Sequence, residues 1–118
     1  MTHSVVVGVV SPAPASSTAT GGLKPSTALN VPLLRYADVI LMAAEAINEL
    51  DGPSAAAPYL KMIRDRAYPN NPDKVTTFMA TAVASKQAFF NAIVNERALE
   101  FTGEMLRKAD LIRWNLLN

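Results

Sequence analysis

Between positions 33 and 49 the chain reads LLRYADVILMAAEAINE, and its apolar residues recur at the three- and four-residue spacing of an amphipathic helix. We predict a helix over residues 32–50, because proline suits a first helical turn and Asp51-Gly52-Pro53 can end one. The predicted inward stripe consists of Leu33, Leu34, Tyr36, Ala37, Ile40, Leu41, Ala44 and Ile47. Arg35, Asp38 and Glu45 fall on another face of this helix.

Three more helices are predicted further along the chain. The second runs from Ser54 to about residue 67, with Tyr59, Leu60, Ile63 and Ala67 inward and Lys61, Arg64 and Asp65 outward. The third covers residues 86–102 with Ser85 as its cap, and the last covers residues 104–116 after Gly103. Tyr68-Pro69-Asn70-Asn71-Pro72-Asp73 is interpreted as a non-helical turn, and residues 75–84 remain open between helix and loop. Short connections then favour antiparallel hairpins in an all-α fold of about four helices.

The first thirty residues differ from the rest. Residues 5–10 hold five valines and one glycine, which favours a short strand, and residues 11–30 form a low-complexity linker or long surface loop. The start carries no lysine or arginine, which disfavours a secretory signal. We therefore divide the chain into an extended or flexible segment, residues 1–30, and a helical domain, residues 31–118.

Composition excludes several classes of function. The net charge is +1 and no dense basic face is present, so nucleic-acid binding is not expected. The absence of cysteine excludes disulfides, thiolate metal sites, cysteine nucleophiles and a lipid anchor on cysteine. The only histidine, His3, lies far from the other polar candidates in sequence. We predict no catalytic, cofactor-binding or metal-binding residue and no cofactor.

Glu96 and Glu100, one turn apart, allow two interpretations. Two free carboxylates in an open pocket could hold a metal or perform acid–base chemistry. Alternatively, both are partly buried and paired with arginines of neighbouring helices. Arg107, Asp110 and Arg113 similarly form either a grip for an anion or a brace against Glu96, Glu100 or Asp38. Arg35 and Asp38 on the first helix allow the same alternatives.

Two aromatic positions are weaker ligand candidates. Trp114 is the only tryptophan, and its ring could stack on a sugar or pack in the core or an interface. The segment Tyr68-Pro69-Asn70-Asn71 offers a better placed polar and aromatic surface, but it also has the composition of an ordinary turn. The ligand-binding residues therefore remain unknown.

Three ordered segments resemble the SusD/RagB family. They are residues 33–49, quoted above, Asn95-Glu96-Arg97-Ala98-Leu99-Glu100-Phe101, and Arg107-Lys108-Ala109-Asp110-Leu111-Ile112-Arg113-Trp114. Residues 60–67 match the family's usual second helix between them. The resemblance covers residues 31–117. The family commonly has glycine at the position of Met105 and aromatic residues at Lys108 and Ala109.

This resemblance implies a fold of tetratricopeptide-like helical hairpins. SusD-like proteins are surface lipoproteins of Bacteroidota outer membranes that bind glycans or other nutrients and cover a TonB-dependent, SusC-like transporter. By this resemblance the charged residues of the three segments are fold-defining, namely Arg35, Asp38, Glu96, Arg97, Glu100, Arg107, Asp110 and Arg113. We expect the chain to be a fragment of such a protein, without signal or anchor cysteine and with its ligand site outside residues 1–118.

The resulting hypothesis is a non-enzymatic helical scaffold of an outer-membrane, cell-surface nutrient-binding protein. The alternative is a free-standing tetratricopeptide-like adaptor that binds a peptide in a helical groove. A neighbouring gene for a TonB-dependent transporter and an upstream lipoprotein signal would favour the first.

Overall fold

The computed structural model describes residues 32–117, and this part contains five α-helices and no strand. The helices are α1 (Tyr36–Leu50), α2 (Pro53–Ala67), α3 (Pro72–Ala82), α4 (Lys86–Glu100) and α5 (Arg107–Arg113). The all-α prediction is confirmed. The strand predicted at residues 5–10 and the linker at 11–30 lie outside the described residues. Within the described part, no helix is long and apolar enough to cross a membrane.

The apolar core lies between α1, α2, α3 and α4. Its buried members are Ala37, Ile40, Leu41, Ala44, Ala56, Leu60, Ile63, Val75, Met79, Ala82, Phe89, Ala92, Ile93 and Phe101. Alanine occupies buried positions on both α1 and α2, and its small side chain lets helix axes approach closely. Several of the chain's many alanines therefore serve helix–helix packing.

The helices alternate in direction, as the predicted hairpins require. Only Asp51 and Gly52 separate α1 from α2, and Gly52 adopts a φ of 88° that favours glycine. At the C-terminal end of α1, the buried Asn48 donates from Nδ2 to the carbonyl of Lys86 at the start of α4, at 3.1 Å. Ser85 caps α4 as predicted, since its hydroxyl accepts from the backbone N–H of Ala88 at 3.0 Å.

The first helix begins later than predicted. Arg35 is extended at φ −112° and ψ 152°, and α1 starts at Tyr36 instead of at residue 32. Because Leu33 and Leu34 precede the helix, they do not share its inward face, and both are exposed, as is Tyr36. Their assignment to the inward stripe was wrong.

A fifth helix, α3, was not predicted. The assignment of Pro72 and Asp73 to a non-helical turn was wrong, because proline takes the first helical position, where its missing N–H is not needed. The buried positions Val75, Met79 and Ala82 follow the spacing i, i+4, i+7. That spacing was the available signal in residues 75–84.

The last helix is shorter than predicted. It covers Arg107–Arg113 and not residues 104–116. Gly103 and Met105 have φ values of 80° and 63°, and Asn115 has 55°. Left-handed backbone cannot continue an α-helix, so these residues limit α5 at both ends.

Candidate functional site

Most of the charged residues singled out in the sequence lie in a seam between α1, α2, α4 and α5. This charged seam has three parts, each named after its central residue. The Arg97 group contains Asp38, Glu45, Arg97, Asp110 and Arg113; the Glu100 group contains Arg35, Arg66, Glu100 and Glu104; the Arg64 pair contains Arg64 and Glu96.

The centre of the Arg97 group is a buried cation between two carboxylates. The side chain of Arg97 is only 4% exposed; its Nη1 donates to Asp38 Oδ1 at 2.6 Å and its Nε to Asp110 Oδ2 at 2.7 Å. The guanidinium also lies 5.0 Å from the ring centroid of Phe101. Because Asp38 is on α1 and Asp110 on α5, one arginine of α4 joins three helices.

The same group continues toward solvent through Arg113. Its Nη1 donates to Glu45 Oε1 at 2.5 Å, and its Nη2 donates to Asp110 Oδ1 at 3.2 Å. The hydrogen bond with Glu45 is the main cause that raises the pKa of Arg113 above its usual value, while burial opposes the rise. Glu45 also accepts the indole N–H of Trp114 at 2.8 Å. Glu45 therefore fixes the C-terminal end of α5 on α1.

The Glu100 group joins α1, α2 and the end of α4. Arg35 Nη2 donates to Glu100 Oε1 at 2.6 Å, and Arg35 Nη1 donates to Glu104 Oε1 at 2.6 Å. Arg66 forms an ion pair with the other carboxylate oxygen of Glu100. The ring of Phe101 lies close to the guanidinium groups of both Arg35 and Arg97, whose distances to the ring centroid are 5.4 and 5.0 Å. Glu100 is thus shared by Arg66 of α2 and by Arg35, the residue directly before α1.

The Arg64 pair is the least well satisfied part of the seam. Arg64 Nη2 lies 2.6 Å from Glu96 Oε2, yet neither Arg64 Nε nor Glu96 Oε2 has a hydrogen-bond partner among the described residues. The guanidinium lies 3.6 Å from the ring centroid of Phe78 and 5.7 Å from that of Tyr68. Burial raises the pKa of Glu96, the charge of Arg64 opposes the rise, and the nearby charge of Glu100 adds to it.

These contacts decide between the two interpretations of Glu96 and Glu100. The acid–base hypothesis requires both carboxylates free in an open pocket, whereas each contacts arginine in a packed interface. The pairing with arginines of neighbouring helices is confirmed. In the described part, no three acidic or histidine side chains are grouped so that they could hold a metal ion; His3 lies outside that part.

The brace interpretation of α5 is confirmed with different partners. Asp110 pairs with Arg97, and Arg113 pairs with Glu45, so neither Glu96 nor Glu100 is involved. Arg107 donates from Nη1 to the backbone carbonyl of Val94 at 2.8 Å. All three charged residues of this stripe therefore attach α5 to α4 or α1.

One residue of the seam, Arg64, was misplaced by the sequence analysis, whereas the common face of Asp38 and Glu45 is confirmed. Arg64 was predicted to face outward, but it points into the α2–α3–α4 interface. It follows the buried Leu60 by four residues, which places both on one helix face and was the available signal. Glu45 follows Asp38 by seven residues, so the two form an acidic stripe on α1, opposite the arginines of α4 and α5.

The two aromatic candidates have different surroundings. The ring of Trp114 contacts that of Phe90 edge to face, with centroids 5.6 Å apart, and its N–H is bound by Glu45. Both contacts favour packing over stacking on a sugar. Tyr68 is half-buried beneath Arg64, while Pro69, Asn70 and Asn71 are exposed. A ligand role for this loop stays a prediction.

Comparison with known proteins identifies relatives of the chain. The model of the SusD family matches residues 9–117. Among curated proteins, one SusD-like protein of Formosa agariphila is 42% identical over 85 residues, which cover 72% of this chain and 15% of the relative. A second from the same organism is 34% identical over 86 residues, covering 73% of this chain and 17% of the relative. The chain thus spans about one sixth of the length of these relatives. No solved structure gives a significant match.

Proposed function

The chain belongs to the SusD family, and on that basis we propose that it is the helical scaffold of a protein that binds glycans or other nutrients at the cell surface. In this proposal the whole protein is an outer-membrane lipoprotein of a Bacteroidota cell. It works with a TonB-dependent, SusC-like transporter, and it acts by binding its ligand without catalysis.

One observation carries the scaffold role. The three segments that carry the family resemblance each contribute one residue to the same buried contact: Asp38 from residues 33–49, Arg97 from residues 95–101 and Asp110 from residues 107–114. Arg97 is almost fully buried, and its Nε and Nη1 donate to the carboxylates of two other segments, so its position and charge are used inside the helix bundle. This supports a structural use of the family's charged residues and a ligand site elsewhere in the whole protein.

Glycan binding by the chain and by the whole protein tests this proposal. We expect no saturable signal for the 118-residue chain on a glycan array or in calorimetry, and saturable binding for the full parent protein. Saturable glycan binding by the chain alone, abolished by Tyr68→Ala or Trp114→Ala, would contradict the scaffold role and place the site in these residues.

The transporter partnership requires a separate test. We expect the tagged parent protein to co-purify from outer membranes with a TonB-dependent transporter whose gene lies beside its own. Failure to recover such a transporter, together with saturable binding of a peptide by the chain alone, would instead support the adaptor hypothesis.

A further inference from the structure

The helix α5 differs from the other four in what it buries. Asp110 is its only buried residue, and no residue of α5 belongs to the apolar core described above. Ile112 is 56% exposed and Leu117, just beyond the helix, is 53% exposed. The hydrophobic effect is proportional to the apolar area removed from water, so it contributes little to holding this helix in place.

Charged and polar contacts supply most of the attachment. Asp110 binds Arg97, Arg113 binds Glu45, and Arg107 binds a backbone carbonyl of α4. The apolar part consists of the half-buried Leu106 and Leu111 and the edge contact of Trp114 with Phe90, and of α5 and its two ends only Leu106 packs against the core. Ion pairs near the surface are weakened by water and salt far more than apolar contacts are.

Opening of α5 would leave no buried charge without a partner. Arg97 keeps Asp38 as its partner when Asp110 leaves, since the two carboxylates bind different nitrogens of the guanidinium. Asp110, Arg113 and Glu45 then become hydrated. The large penalty that follows deletion of one member of a buried pair therefore does not apply to this movement.

The connection to α4 can serve as a hinge. The helix α4 ends at Glu100, and the following turn contains Gly103 at φ 80° and Met105 at φ 63°. A positive φ is unfavourable for methionine, so the backbone of Met105 is strained while α5 is docked. Leu106 at the start of α5 provides no side-chain cap. The strained Met105 and the missing side-chain cap both favour bending of the chain between α4 and α5.

We propose that α5 and the turn before it open as one unit while the α1–α4 bundle stays folded, with the contacts of Arg97 and Glu45 as the latch. This inference is independent of the proposed function, because it concerns only the contacts of α5 within the chain. Regions with few buried apolar contacts commonly open at a fraction of the free energy of global unfolding.

The only tryptophan of the chain reports directly on the latch. Trp114 contacts Phe90 and binds Glu45 when α5 is docked, so its fluorescence should shift to the red when water reaches the ring. The far-ultraviolet circular dichroism of the described part comes mostly from α1–α4. In a urea titration of the 118-residue chain, we expect the fluorescence transition at a lower concentration than the dichroism transition. Coincident transitions would overturn the proposal.

A matched pair of variants on α1 tests the latch itself. Glu45→Gln keeps an acceptor for Trp114 but removes the charge that binds Arg113, whereas Glu49→Gln removes a charge paired with the exposed Lys86. We expect Glu45→Gln to lower the fluorescence midpoint by about 0.5 M urea and to leave the dichroism midpoint unchanged. Equal shifts of both midpoints, no shift of either, or the same effect from Glu49→Gln would contradict the latch.

Hydrogen exchange of the unmodified chain provides a second measurement that needs no variant. We expect the amides of residues 110–114 to exchange at least about ten-fold faster than those of Ile93 and Arg97, and added sodium chloride to widen the ratio. Equal protection of the two sets, unaffected by salt, would show that α5 opens only with the whole bundle.

Discussion

Arg97 on α4 donates from Nη1 to Asp38 on α1 at 2.6 Å, across 59 positions of sequence. The side chain of Arg97 is 4% exposed and that of Asp38 is 11% exposed, so this ion pair lies almost entirely out of water. Burying two charges is costly unless the geometry is good and the remaining donors are satisfied. Asp110 offsets part of that cost here by accepting a second hydrogen bond, from Nε of the same arginine.

Removal of Arg97 should destabilise the fold strongly. Arg97→Met leaves Asp38 and Asp110 facing each other in a buried site without a counter-charge, and we expect a loss of about 3–5 kcal/mol in the free energy of unfolding. Urea denaturation followed by circular dichroism measures it. The control is Lys61→Met, which breaks the exposed pair with Asp65 and should cost less than about 0.5 kcal/mol. Similar losses of unfolding free energy for both variants would mean that burial of the Arg97 group does not increase its contribution to stability.

The sequence was sufficient to predict that the charged residues of the seam form ion pairs, but not to predict which residues pair with each other. The pairing of Glu96 and Glu100 with arginines follows from the cost of burying carboxylates on an otherwise apolar face. The partnership of Glu45 with Arg113 spans 68 positions and depends on how α5 crosses α1, which no local pattern records. Arg64 was assigned outward because it is charged, although its four-residue spacing from Leu60 placed it inward.

Glu100→Ala should destabilise the chain by about 2–3 kcal/mol, because it leaves both Arg35 and Arg66 without their shared carboxylate. Both arginines are partly exposed, and water limits the loss. The control is Glu104→Ala, which removes the more exposed of the two carboxylates bound by Arg35 and should cost less than about 1 kcal/mol. Thermal denaturation of the two variants distinguishes them, and equal melting temperatures would argue against a bridging role for Glu100.

The helix boundaries show where local rules succeed and fail. The start of α4 was predicted correctly, because Ser85 caps it by a contact three residues away. The helix α3 was missed because prolines and threonines are poor indicators of a helix. Its three buried residues become buried only when α3 packs on α2 and α4. Local capping is encoded within a few residues; burial depends on the whole bundle.

Glu96 should make the stability of the fold depend on pH. Burial raises its pKa in the folded state above the ordinary value of 4.5, so the folded state binds a proton more tightly than the unfolded state does. The stabilisation from this proton is fully present below pH 4.5 and is lost as the pH rises through the folded-state pKa. Other carboxylates also titrate in acid, and comparison with Glu96→Gln isolates this one.

We therefore expect the free energy of unfolding of the unmodified chain, minus that of Glu96→Gln, to increase as the pH falls from neutral toward 4.5. Urea titrations at several pH values measure the difference. A difference that decreases over this range would mean that the charge of Arg64 outweighs burial and holds the folded-state pKa of Glu96 below its ordinary value.

Met105→Gly should stabilise the chain. Met105 has a φ of 63° and its side chain is 94% exposed, so the substitution relieves left-handed strain and removes almost no packing. The strain costs about 1–2 kcal/mol, and the greater freedom of glycine in the unfolded chain offsets about 0.4–1 kcal/mol of the relief. We expect a net gain of about 0.5–1 kcal/mol in urea denaturation. The position coincides with the one where the family resemblance leads us to expect glycine.

The control for this last substitution is Met105→Ala, which removes the same exposed side chain but keeps the Cβ atom that disfavours a positive φ. We expect no gain from alanine. A gain of similar size from both variants would trace the effect to loss of an exposed apolar side chain instead of to the backbone. A loss of stability in Met105→Gly would contradict this expectation. It would mean that the restricted backbone of methionine stabilises the folded turn by more than its left-handed strain costs.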